Sequence, residues 1–405
     1  MSSRSSIGFS ENTESHAAGA EAARAALEQL QGEKVTVAML FATFRYVPET
    51  LAEGVKSVIG DNIPLIGGCS VGVITSEGLG YDGYQVGVAL LVLESGKVDL
   101  LQAEGLSDGE FECGADLAQQ ITQQVSDEEK SCLMFYDAVS QSNDKLQLNM
   151  AVPLLEGLSK HMDGKAWQKL VGAGLLADRG CQATYQWLNN DVKQGTASAL
   201  VFSQGISMNT TVLHGCRPMG DYLTITKAQG PEILEIDGRP ALELVGEMLD
   251  MPYEDHWKDF GFFVTLGVNH GEKYGEVKDE NYQNRLCMRA ELANKSLVMF
   301  DPDLQAGSEV QLMRRAVGYS YISERIDELF NSIESGKKPF FAFYIDCAGR
   351  AADSRGVDEE EAETVVEAID GRVPLLGLYS GLEIGQIAGQ PRNLNYTGVL
   401  TVFSE

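Results

Sequence analysis

Two short segments near the C-terminus place a cation and a carboxylate at the ends of apolar runs. In PFFAFYIDCAGR (339–350), a run of β-formers ends in Asp346-Cys347-Ala348-Gly349-Arg350. In VPLLGLYSGLEIGQ (373–386), a second run breaks at Gly381 and is followed by Leu382 and Glu383. A guanidinium at a strand end is suited to gripping a carboxylate through two parallel hydrogen bonds. On that reading Arg350 binds a ligand carboxylate, and Glu383 binds a ligand ammonium or orients Arg350. The alternative is an internal salt bridge from Arg350 to Glu383 or Asp346. Near the N-terminus, IPLIGGCSVGVITSEG (63–78) offers Gly68, Cys69 and Ser70 at a comparable strand end. Glycines there permit close approach to the backbone and free N–H donors, or they serve only to turn the chain.

Cys69 and Cys347 are the two cysteines placed where a nucleophile could act, but neither lies in a Cys-His signature. A cysteine-dependent enzyme is therefore the minor alternative to a non-enzymatic protein. The seven cysteines include no CxxC pair, so neither a zinc site nor a disulfide framework is signalled. Of the five histidines, His214, in TTVLHGCRPMG, stands at a strand end before a Cys-Arg-Pro turn. It is the candidate axial ligand if a haem is bound. A lone histidine without partner spacing is more often structural. There is no GxxxxGK[ST] loop and no GxGxxG opening a helix after a strand.

The elements that would position these residues recur. Residues 35–44, 131–140 and 340–346 read as buried strands, and each is followed by a helix (49–59, 146–161 and 359–369). A glycine-ended strand comes next (63–68, 169–174 and 373–377), and then a closing strand (84–93, 196–203 and 397–403). The strand-end glycine precedes the closing-strand glycine by 20 residues from Gly67 to Gly87, and by 21 from Gly377 to Gly398. IPLIGG and VPLLGL fall at matching places. The expected fold is α/β: two-domain mixed sheets with helices outside, built from repeated β-α-β-β units. Residues 215–249 change texture, with short strands, a turn at Asp237-Gly238 and a helix from Ala241. An amphipathic helix is expected over 321–335. Pro231 marks the expected boundary between domains 31–230 and 231–390, with the closing strand running to 405.

Composition sets the class. The chain of 405 residues is 44% hydrophobic and 22% charged, as in globular proteins. A net charge of −28 argues against nucleic acid, which needs a concentrated basic face. No apolar run approaches the roughly 18 residues of a membrane helix. Nor does the N-terminus carry a secretory apolar segment. These features predict a cytoplasmic protein that does not bind membranes.

The motifs also carry a resemblance. IPLIGGCSVGVITSEG resembles the N-terminal part of the FIST sensory domain. DCAGR, VPLLGLYSGLEIGQ and RNLNYTG resemble its C-terminal part, and 215–244 is similar to the segment joining the two. The family pattern has Gly before Glu in Gly-Glu-Ile, whereas Leu382 stands here and could narrow or close a pocket. The resemblance implies a sensor of small molecules, with amino acids or related carboxylates as ligands. It also implies, as an alternative, a haem protein that senses nitric oxide and regulates a histidine kinase. The expected partners are a small-molecule ligand and a separate signalling protein such as that kinase; a homo-oligomer is compatible with the sequence.

Overall fold

The computed structural model describes residues 2–126, 129–142, 145–162, 167, 169–261, 263–316 and 318–405. The chain forms two compact units, one of residues 1–213, 320–393 and 398–405, the other of 214–319 and 394–397. Pro231 lies inside the second unit, between strands Cys216–Gln229 and Glu232–Ile236, which pair with each other.

The first unit contains the repeats, and each is longer than the sequence suggests. The first runs strand Arg4–Ser10, helix Ser15–Gln29, inner strand Val37–Thr43 and helix Pro48–Ile59. It continues with second strand Leu65–Ser70, hairpin Gly72–Thr75/Leu79–Tyr81 and closing strand Val86–Val92. The middle repeat has the same order: Lys97–Glu104, helix Glu110–Gln124, inner strand Ser131–Asp137 and helix Ala151–Ser159. Second strand Leu170–Leu175, hairpin Gln186–Leu188/Asp191–Lys193 and closing strand Thr196–Ser203 follow. Its helix begins at Ala151, because residues 145–148 pair in a small hairpin with Val139–Ser142. Pro153 therefore sits in the first turn, where a missing N–H costs nothing. In the third repeat, strand Ser207–Leu213 is separated from helix Ser320–Asn331 by residues 214–319 of the second unit. Inner strand Pro339–Cys347, helix Glu361–Ile369, second strand Leu375–Ser380, hairpin Leu382–Ile387/Gln390–Leu394 and closing strand Gly398–Ser404 complete it.

Each repeat makes a six-stranded sheet around its parallel inner and second strands, with the closing strand antiparallel on the other side. The hairpins are exchanged in a cycle. That of the first repeat pairs with Leu375–Ser380 of the third, that of the third with Leu170–Leu175 of the middle one, and that of the middle one with Leu65–Ser70 of the first. No repeat can complete its sheet alone. One glycine per repeat makes the parallel pairing possible. A Cβ at Gly67 would lie 1.7 Å from the Leu40 carbonyl oxygen, at Gly172 2.5 Å from that of Met134, and at Gly377 2.3 Å from that of Tyr344. The inner strands meet through a triangle of rings: Phe41–Phe135 at 5.0 Å, Phe41–Phe343 at 5.6 Å and Phe135–Phe343 at 5.7 Å. Side chains alternate along a strand, so one face of each sheet looks to this triangle and the other to its helices.

The second unit is a seven-stranded antiparallel sheet with helix Ala241–Met248 on one face, starting where the sequence places it. Its core gathers Ile225, Ile236, Leu242, Val245, Leu266 and Leu312. No described helix is long and apolar enough to cross a membrane.

Candidate functional site

Aligning the repeats on Gly67, Gly172 and Gly377 gives equivalent positions at the C-terminal ends of the core strands. Thr43, Asp137 and Cys347 end the inner strands on the phenylalanine side. Ser70, Leu175 and Ser380 stand in register beside them. On the exchanged hairpins, Val73, Gln186 and Glu383 face this same side, paired with Leu378, Gly68 and Ala173. The scaffold repeats while the chemistry varies.

In the first repeat the polar groups are consumed locally. Ser70 Oγ donates to the Gly72 carbonyl at 2.8 Å. The Cys69 N–H donates to the Tyr185 carbonyl at 3.1 Å, and the Tyr185 N–H donates back to Cys69 Sγ at 3.3 Å. Cys69 is fully buried, and burial pushes its thiol well above the ordinary range, the reverse of what a nucleophile needs. Gly68 is required by packing, since a Cβ there would meet Leu175 Cδ1 at 2.3 Å and the Tyr185 oxygen at 3.0 Å.

The third repeat differs. Glu383 is completely buried; Ser380 Oγ donates to its Oε1 at 2.7 Å, and Oε2 makes no hydrogen bond. Burial pushes its carboxyl up to about 8, with Asp346 adding to the rise and Ser380 opposing it, so near neutrality it holds a proton. Cys347 lies beside it on the same side and is buried. Leu382 points to the opposite face of the hairpin strand, where a Cβ on Gly174 would come within 3.1 Å of its Cβ. It therefore does not stand on Glu383's side of the sheet.

Arg350 is 1% exposed and belongs to the helix side of its sheet. Its Nε donates to Asp346 Oδ1 at 3.0 Å; its Nη2 donates to Glu361 and, at 3.3 Å, to the Tyr321 hydroxyl. Burial works against the charge, but Glu361, Tyr321 and Asp346 outweigh it and hold the guanidinium pKa well above normal. The internal ion pair with Asp346, one of the two readings open in the sequence, is the one formed. Burial raises the Asp346 carboxyl, with Arg350 opposing.

Sequence reasoning missed Asp137. It is fully buried at the end of SCLMFYD, accepts the Thr196 N–H on Oδ2 at 3.0 Å and makes no hydrogen bond on Oδ1. Burial lifts it to about 7, against the amide of Thr196 and the side chains of Thr184 and Gln186. The available signal was weak: SCLMFYD and FYIDC both carry an aspartate near the end of an apolar strand, but Asp137 is equivalent to Cys347, and Asp346 stands one residue earlier on the other face.

His214 lies in the second unit, 3% exposed. Its Nδ1 accepts the Cys216 N–H at 2.9 Å, which places the proton on Nε2, 3.1 Å from the Asp279 carbonyl oxygen. With both nitrogens engaged by the backbone, this imidazole does not fit an axial haem ligand.

A model of the FIST N domain matches residues 36–239, and one of the FIST C domain matches 241–386. The chain belongs to the FIST family. FIST domains are associated with sensory signal transduction. The chain is also similar to an uncharacterised protein of Mycobacterium bovis, 27% identical over 199 residues that cover 47% of this chain and 49% of that one. A second uncharacterised relative, from Mycobacterium tuberculosis, is 25% identical over 194 residues, 48% of this chain and 50% of that one. The match thus spans about half the length of these curated relatives. Among solved structures, a cyanuric acid hydrolase from A. caulinodans aligns over 99% of both chains with 7% identity and a TM-score of 0.37. A likeness at that level fixes neither topology nor activity.

Proposed function

We propose that this FIST protein is a cytoplasmic ligand-binding sensor of signal transduction, and that it recognises its small molecule at the strand-end corner around Glu383. The supporting observation is the neutral, fully buried Glu383 carboxyl with one oxygen unbonded, where the equivalent hairpins carry Val73 and Gln186. An unsatisfied acid buried this deeply destabilises the empty protein. A ligand ammonium offsets that cost by favouring the carboxylate form, so that Glu383 gives up its proton and Oε2 accepts an N–H of the ligand, which keeps amino acids among the candidate ligands. Ser380 and Cys347 flank the acid, while Ser70 and Asp137 occupy the equivalent corners. Arg350, held by Asp346 and Glu361, acts here as the support of the corner rather than as the ligand's carboxylate clamp. The signal passes to a separate partner such as a histidine kinase.

The reading is non-enzymatic; burial keeps Cys69 as a thiol, which leaves the cysteine-dependent alternative to Cys347. A haem-based alternative would require His214 to give up its bonds to Cys216 and Asp279, and a Soret band after haem reconstitution would establish it. The sensor reading is tested by a thermal-shift screen of amino acids and simple amines. A ligand that binds only the folded state raises the melting temperature in proportion to log concentration. Carboxylates without an amino group stabilising as well as their amino counterparts would count against recognition at Glu383.

A further inference from the structure

The three junctions between second strand and hairpin are not alike. One residue separates Ser70 from Gly72, and one separates Ser380 from Leu382, but residues 176–185 separate Leu175 from Gln186. This longer segment visits all three repeats. Leu176 packs against Gly381, where a Cβ would be 3.2 Å away. The Thr184 N–H donates to the Val139 carbonyl at 3.0 Å, and its side chain stands beside Asp137. Tyr185 closes over Cys69 through their two mutual hydrogen bonds.

At the middle of the segment, Arg179 joins the other two repeats. Its Nη2 donates to Asp353 Oδ1 at 2.6 Å and its Nη1 to Oδ2 of the same carboxylate. Nη1 also lies 3.3 Å from Asp82 Oδ2, and the guanidinium sits 5.3 Å from the centre of the Tyr81 ring. Tyr81 in turn meets Tyr379 edge-on at 5.4 Å. Arg179 and both aspartates are about one-third to one-half exposed (35%, 46% and 44%), so water and salt screen the pairs.

We propose that residues 176–185 form a strap over the strand-end site, with Arg179 as its clasp. The acids beneath it are sealed from solvent, so a ligand reaches them only when the strap lifts. The ends of the strap are anchored in the core at Ala177 and Tyr185, while its exposed middle is held by half-exposed ion pairs, a closure weak enough to open locally without unfolding the sheets. This inference rests on placing the ligand site at these strand ends. Its test needs no ligand, so the two readings fail separately.

The full chain is treated with methyl methanethiosulfonate, and modification of Cys347, beside Glu383 on the same side of the sheet, is followed by peptide mass spectrometry. Cys132, fully buried near the start of strand Ser131–Asp137, is the internal control. In Arg179→Ala, Cys347 reacts about tenfold faster while Cys132 keeps its wild-type rate. Raising salt from about 0.05 M to about 0.5 M speeds Cys347 in the wild type but not in that variant. Asp353→Asn, which keeps the side-chain volume, gives a smaller change in the same direction. An unchanged Cys347 rate in both variants overturns the proposal. So does a parallel rise at Cys132, which would mean that the sheets open as a whole.

Discussion

The first and third repeats have one backbone plan and opposite chemistry. Ser70 and Ser380 are equivalent, yet one hydroxyl turns back to a carbonyl two residues on, whereas the other lies between the Glu383 carboxyl at 2.7 Å and the Asp346 carbonyl oxygen at 3.1 Å. Val73 and Glu383 occupy the same place on exchanged hairpins. Thr43 and Cys347 both end inner strands, but only the third repeat follows its strand with an arginine held by two acids. The shared features concern how strands approach: a glycine at each parallel pairing and a hairpin lent to a neighbour. The differences fall at strand ends, where a side chain changes without disturbing the ladder. A three-part scaffold in which each sheet depends on another repeat keeps its geometry while one corner acquires a buried acid.

This contrast can be broken at several depths. The largest effect belongs to the common scaffold: Gly67→Ala and Gly377→Ala each force a methyl group onto a neighbouring carbonyl. Each should cost about 3 kcal/mol or more in urea unfolding. Next comes the support particular to the third repeat. Arg350→Ala leaves Asp346 and Glu361 buried without their cation and should cost about 3–5 kcal/mol. Arg350→Lys recovers only part of this, because an ammonium cannot reproduce the fork.

A smaller effect is read in pH. Glu383 and Asp137 have folded-state pKa values raised above the ordinary carboxylate range. The folded protein therefore retains protons that the unfolded chain releases. The favourable contribution is complete below about pH 3.8 for Asp137 and 4.5 for Glu383, and is lost as pH rises through about 7 and about 8 respectively. Urea midpoints should fall between pH 5.5 and 8.5, with a slope of at most about 1.4 kcal/mol per pH unit for each acid. Glu383→Gln should flatten the profile, and an unaltered profile would deny the raised pKa. The smallest effect is Ser70→Ala, which removes one hydrogen bond and should cost about 1 kcal/mol with no change in the pH profile. Ser380→Ala should steepen that profile, because Glu383 loses its donor.

Much of this plan was legible in the sequence, for identifiable reasons. The repeat shows in IPLIGG and VPLLGL because the parallel pairing demands glycine at one register position and apolar residues around it. The helix from Ala241 follows from its periodicity. Strand exchange was not legible, because register between distant edges is a non-local property. The leading strands Arg4–Ser10 and Lys97–Glu104 carry the polar alternation of half-exposed edges and lack the apolar runs of the core. Arg350 reads as a free clamp only while the position of Glu361, eleven residues on, is unknown. Asp137 looks like a simple end to an apolar strand until its burial is seen.

The measurement that bears most directly on the contrast is calorimetric titration of Glu383→Val, which writes the first repeat's residue into the third. With an amino-group ligand from the thermal-shift screen, the account predicts a loss of at least about tenfold in affinity, or about 1.4 kcal/mol. Urea unfolding at pH 8.5 should show that the variant is at least as stable as the wild type. Undiminished affinity in a folded Glu383→Val protein would contradict the assignment of recognition to this corner.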